Sequence, residues 1–242
     1  MIRKLPWLLF VLALVVILLV PISSHLAAKD DSSLDRILIE GVPHIRQRPD
    51  FCGEACAAMA LQKLGFRYDQ DDVFDHSGLA PSDARGCYTS ELRSALAKIG
   101  FDTGQSWYSI KVDQAAKELQ KQWQAIVTDL QAGIPTIICT RYDEQPDTTE
   151  HFRLILGYDS KTDEVIYHEP AKRKGAYLKM PRTTMLSLWP LKYRDDTWTV
   201  VRLPLTPQDI QPRDARSSQF TKADYTQHMM RLKKKIPGKQ FH

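Results

Sequence analysis

The chain has 242 residues, 43% of them hydrophobic, which is enough for one good-sized core with extensions. Its formal charge of +4 is modest, and the densest basic cluster, Lys233-Lys234-Lys235, lies in the C-terminal tail, so no nucleic-acid surface is expected on the folded part. Four cysteines, Cys52, Cys56, Cys87 and Cys139, are too few and too irregularly spaced for a disulfide scaffold.

Arg3 and Lys4 precede an apolar run from Leu5 to Ile22, the order of a positive flank followed by an export signal. Residues 1–28 therefore read as a signal peptide or an N-terminal transmembrane anchor. The run is long for a cleaved signal, and no small-x-small site follows it, which favours an anchor in the cytoplasmic membrane. The flanking charges then put the rest of the chain on the periplasmic or extracellular side.

Residues 29–35 are polar and read as a linker. Arg36 to Glu40 is a short strand, broken by Gly41-Val42-Pro43, and Pro49 keeps the next segment extended. From Cys52 to Leu64 the apolar positions Cys56, Met59, Ala60 and Leu64 repeat at helical spacing, and Gly65 ends the helix. Alanines on its other side mark a helix buried in the middle of a domain. A polar helix around Asp69 to Phe74 and a helix from Thr89 to Ile99 follow, then one or two helices between Lys111 and Leu130. Thr136 to Thr140 is a buried strand. His151 to Pro170 reads as a hairpin turning at Gly157 to Lys161, with Phe152, Leu154 and Leu156 alternating along its first arm. A strand near Ala176 to Lys179, a helix near Thr183 to Trp189 and a strand at Trp198 to Leu203 complete the pattern. Helices first and strands later predict an α+β domain over 36–203. Residues 204–242, with four prolines, read as a basic, loosely ordered tail.

Four residues carry chemistry. His151 and Glu169 stand near the two outer ends of the hairpin, where adjacent antiparallel strands bring side chains together, and a histidine held by a carboxylate is half of a nucleophilic site. Cys52 begins the buried helix, where unpaired backbone N–H groups and the positive dipole end depress a thiol pKa. Gln47, five residues upstream on an extended segment, is placed to donate its amide to an oxyanion at the sulfur. Cys56, one turn into the helix, reads as a packing residue, as do Cys87 and Cys139, with a Cys56–Cys87 bridge open in an oxidising compartment. A Cys52–Cys56 disulfide is disfavoured, because helical neighbours four apart hold their Cβ atoms about 5–6 Å apart against the roughly 3.5–4.5 Å a disulfide wants. Zinc sites pair short ligand motifs, and Cys87 and Cys139 stand alone, so neither metal nor cofactor is expected.

In order along the chain, Gln47, Cys52-Gly53, Ala55-Cys56, Met59 and Leu61, Gly86, Gly100-Phe101, Gly133-Ile134-Pro135, His151 with Gly157-Tyr158-Asp159, and the acid before Pro170 resemble the papain-like bacteriocin-processing peptidases, cysteine peptidase family 39. The resemblance covers Val42 to Val201. It implies a papain-like fold, with the nucleophile helix packed on an antiparallel sheet. It also implies Cys52 as nucleophile, His151 as base and acid, Glu169 as the residue orienting the histidine, and Gln47 as oxyanion donor. Two departures stand out: the orienting residue of that family is usually aspartate, and its glutamine usually lies one residue further from the cysteine. The leader-processing members are fused to membrane spans and an ATPase, whereas no G-x-x-x-x-G-K-[ST] occurs here, so no ATPase partner is encoded in the chain.

The leading expectation is a cysteine peptidase or amide hydrolase acting on a peptide or protein outside the cytoplasmic membrane. An acyltransferase or transpeptidase using the same thiol is a close variant. The alternative from another class is a catalytically silent papain-like domain that binds peptide in the old cleft.

Overall fold

A computed structural model describes residues 35–146 and 148–210. The expected membrane segment, most of the linker and the tail beyond 210 lie outside these residues. Among the described residues no helix is long and apolar enough to cross a membrane.

The elements follow in chain order. Strand β1 (Arg36–Leu38) leads through an extended segment into helices α1 (Cys52–Lys63), α2 (Gln70–Ser77) and α3 (Thr89–Ile99). Strands β2 (Phe101–Asp102) and β3 (Trp107–Lys111) precede the long helix α4 (Ala115–Gln131). Then come β4 (Thr136–Arg141), β5 (Glu150–Asp159), β6 (Glu164–His168), β7 (Leu178–Pro181), α5 (Arg182–Leu188), β8 (Thr197–Pro204) and β9 (Thr206–Pro207).

The main sheet is antiparallel throughout, in the order β3-β8-β4-β5-β6-β7, with β1 paired to the far end of β5. Its central strand β5 is long because it holds partners on both edges: β4 and then β1 on one, β6 on the other. Helices cover both faces. Along β5, Phe152, Leu154 and Leu156 join the core that also holds Ala57, Met59 and Leu61 of α1 and Leu92 of α3. Ile155, with Ile138 of β4 and Val200 of β8, belongs to a second core with Trp123 and Ile126 of α4 and Trp189 beside α5. Strand alternation makes this division: odd and even side chains leave opposite faces.

Three expectations need correction. The hairpin turns at 160–163, and Gly157, where the turn was expected to begin, is paired inside β5 with strands on both edges. Residues 107–111 carry a strand that the sequence reading lacked; only Ile110 of the five is fully buried, so no alternation marks it. The fold also runs past Leu203, where the tail was expected to begin. Leu205 is buried in the core, β9 pairs with β2, and the N–H groups of Gln208 and Asp209 both donate to Gly100 O. The four prolines suggested disorder, but Leu205 supplies the apolar anchor that holds this segment down.

Candidate active site

Cys52 is the first residue of α1, preceded by Phe51 as N-cap without a side-chain capping bond and by Asp50 at φ 64°. The turn here is tight: a Cβ added to Gly86 would stand 1.8 Å from Asp50 O, so only glycine lets the loop before α3 pass beneath the approach to Cys52. Gly53 makes room for side chains. A Cβ there would meet Leu92 at 2.7 Å and Phe152 at 3.1 Å, which is how α1 seats closely on α3 and β5.

The Cys52 sulfur accepts the Phe152 N–H at 3.4 Å, one peptide along from His151. Across the β5–β6 hairpin, His151 Nε2 lies 2.5 Å from Glu169 Oε1. Both side chains are buried, 3% and 1% exposed, so this contact is shielded from water. An ionised carboxylate only accepts, hence Nε2 carries the proton and Nδ1 is left as the basic nitrogen. Glu169 also receives the Ala171 N–H on Oε1 at 3.1 Å and Arg153 Nε on Oε2 at 2.9 Å. Burial by itself pushes Glu169 up, but the hydrogen bond and charge of His151, the Arg153 cation and the Ala171 N–H together hold it below the usual carboxylate range.

Gln47 lies on the extended segment before α1, and its N–H donates to Pro170 O at 2.8 Å, so the residue is tied to the chain directly after Glu169. Its amide oxygen is buried. The structure thus gathers Cys52, His151, Glu169 and Gln47 at one end of the hairpin. A cavity of about 370 Å3 lined by Gln62, Phe66, Arg67 and Tyr68 lies at the opposite end of α1, about 15 Å away along the helix. It holds no part of this constellation.

The thiol corrects one expectation. Burial pushes Cys52 up to about 12, aided by the charges of Glu54 and Glu169 and opposed by the N–H groups of Phe152 and Gly53. A helix N-terminus is worth about 2 kcal/mol at most, or about 1.5 pKa units, and the desolvation of the sulfur outweighs it. The residue as a whole is half-buried, the least enclosed of the four cysteines. Cys52 therefore rests as a thiol and needs a base to lose its proton. Cys56, Cys87 and Cys139 are buried and burial raises their thiols too, and all four cysteines are free, so the Cys56–Cys87 bridge is not formed. Among the described residues no cluster of His, Cys, Asp and Glu is arranged to hold a metal ion.

Four neighbours escaped the sequence reading. Arg153 is buried beside Glu169. Tyr142 stands edge-on to the His151 ring, with centroids 5.1 Å apart. His44 Nε2 lies 2.9 Å from Glu169 O. His168 bridges Val42 O and the Tyr177 N–H through its two ring nitrogens, which fixes it as a neutral structural residue, and its burial pushes the pKa down to match. Only Arg153 left a signal, a charge in the middle of an otherwise apolar strand.

A model of the Peptidase_C39 like family matches residues 39–194. The chain belongs to that family. No curated protein matches the sequence. Among solved structures, the peptidase domain of Streptococcus ComA, a bifunctional ABC transporter involved in quorum sensing, is similar at TM-score 0.44 and 16% identity, over 69% of this chain and 100% of that one. A double glycine motif protease from an AMS/PCAT transporter, solved in complex with the leader peptide, gives TM-score 0.40 and 17% identity, over 69% and 98%.

Proposed function

We propose that this Peptidase_C39 like chain is a cysteine peptidase, or amide hydrolase, in which Cys52 is the nucleophile, His151 the base and acid, Glu169 the orienting carboxylate and Gln47 the oxyanion donor. The observation that carries the proposal is the buried 2.5 Å His151–Glu169 contact placed one peptide from the Cys52 sulfur. His151 Nδ1 takes the thiol proton as sulfur attacks a peptide carbonyl, and returns it to the leaving amine as the C–N bond breaks. The carbonyl oxygen becomes an oxyanion toward which the Gln47 amide N–H would donate. Water, deprotonated by the same histidine, then releases the acid and restores the thiol; an amine in its place would make the enzyme an acyltransferase.

The family supports a peptide or protein substrate. The cationic flank and apolar run of residues 3–22 support action outside the cytoplasmic membrane, from an anchor. The thiol held near 12 favours a second reading, a silent domain that binds peptide without turnover. The test is to incubate the full chain and its Cys52→Ala variant with a complex peptide mixture, with and without hydroxylamine, and to read new termini by mass spectrometry. Cleavage confined to the unaltered protein supports the peptidase, and hydroxamate products identify the acyl-enzyme. No new termini from an alkylatable Cys52 leaves the binding domain.

A further inference from the structure

We propose that Arg153 is a positioning residue that fits a glutamate to the place where aspartate usually stands, a role that presupposes the peptidase reading above. The placement follows from register. Leu154 pairs with His168 across the hairpin, so the next position along puts Arg153 opposite Glu169. Alternation sends Phe152 and Leu154 toward α1 and leaves His151 and Arg153 together on the other face.

All three guanidinium nitrogens are committed, in a side chain only 4% exposed. Nε donates to Glu169 Oε2 at 2.9 Å, Nη1 to Thr140 Oγ1 and to Arg141 O at 3.2 Å, and Nη2 to Tyr142 O at 2.6 Å. A buried ion pair is often replaceable by apolar side chains without loss of stability, so stability alone gives no reason for this one beside the apolar Ile155. Geometry gives a reason. Glutamate has one more rotatable bond than aspartate, and a carboxylate held on a single oxygen would swing away from His151. Here Oε1 meets His151 and the Ala171 N–H while Oε2 is held by Arg153, and a carboxylate bound from two directions cannot turn. The cation also keeps Glu169 ionised, so the His151 Nε2–H always finds an acceptor. At its other end the guanidinium is anchored to Thr140 Oγ1 and to the carbonyls of Arg141 and Tyr142, which fixes the Nε that holds Glu169 Oε2.

The test reads the rate at which iodoacetamide alkylates Cys52 in the full chain, followed by peptide mass spectrometry, and needs no substrate. That rate reports the thiolate paired with imidazolium, which Glu169 stabilises. Arg153→Lys keeps the charge but replaces the fork with a point donor. It is expected to slow alkylation at pH 7 about tenfold or more, with an unchanged unfolding midpoint, and to move the acid limb of the rate upward in pH, because a loosely held Glu169 stabilises the imidazolium less and leaves the Cys52 thiolate harder to form. Glu169→Gln should slow it at least as much, and adding Arg153→Lys to Glu169→Gln should cost nothing further, since Arg153 acts only through Glu169. If Arg153→Lys fails to fold, Arg153→Gln with Glu169→Gln, which leaves no buried charge, gives the same comparison with Glu169→Gln alone. Wild-type alkylation in Arg153→Lys beside a slow Glu169→Gln overturns the positioning role and spares the peptidase reading, as do additive losses in the double variant. Wild-type rates in both Glu169→Gln and His151→Ala remove the reading on which the role depends.

Discussion

Glu54 Oε1 accepts the Cys87 N–H at 2.7 Å from inside the protein, two residues from Cys52, while its Oε2 is buried without a hydrogen-bond partner. Burial pushes this carboxyl from 4.5 up to about 7, and the Cys87 N–H offsets only part of the effect. The folded state therefore binds a proton that the unfolded chain releases between these two values. Stability is full below pH 4.5, falls as pH rises through 7, and the total loss is about 3 kcal/mol. Glu54→Gln keeps the acceptor for Cys87 and cannot ionise. Urea unfolding should show the variant equal to the unaltered protein at pH 4 and more stable at pH 8; equal pH slopes for the two proteins would show that Glu54 is not the source.

Gly86 predicts a second effect on stability. Its missing Cβ leaves room for Asp50 O at a place where backbone, and not a pliable side chain, would have to move. Gly86→Ala should lower the unfolding free energy by about 1–3 kcal/mol, the usual range for overpacking, and slow Cys52 alkylation because Asp50 sets the entry to α1. A midpoint within error of the unaltered protein would mean that the loop before α3 gives way freely.

Glu169 predicts an effect on chemistry without one on fold. Its carboxylate holds His151 in the tautomer with Nε2 protonated, so Glu169→Gln should cut turnover by about 100-fold or more. Glu169→Asp keeps the charge but cannot reach both His151 and Arg153, and should retain a fraction of the activity. Equal turnover in all three proteins would remove Glu169 from the site.

The elements that position these groups were legible in the sequence to different degrees. α3 ends at Gly100 and spans Thr89–Ile99 as its periodicity predicts, because it buries one face, and α1 begins at Cys52 and is buried on all sides from Gly53 to Leu61, as its alanines predict. The hairpin was legible from Phe152, Leu154 and Leu156, which bury a single face. Arg153 was not, since on the other face of a half-buried strand a charge reads as solvent-facing; only the register that puts it opposite Glu169 shows that it is enclosed. The strand at Trp107–Lys111 and the pairing of Thr206–Pro207 depend on partners about 90 or more residues away, and no local pattern carries that information. The Cys52 thiol is the clearest miss: its position on the helix was legible, but the protein packed around the sulfur, which outweighs the helix end, was not.

The central claim is that Cys52 reacts because His151 removes its proton, and one measurement tests it most directly: the iodoacetamide alkylation rate of each cysteine across pH 5–9, in the unaltered chain and in His151→Ala, mapped by peptide mass spectrometry. Cys52 alone should be labelled in the folded protein, since the other three thiols are buried, and His151→Ala should slow it by about 100-fold at neutral pH, leaving only the slow reaction of a thiol near 12. Labelling of Cys56, Cys87 or Cys139 before Cys52, or a Cys52 rate indifferent to the loss of His151, would contradict the account.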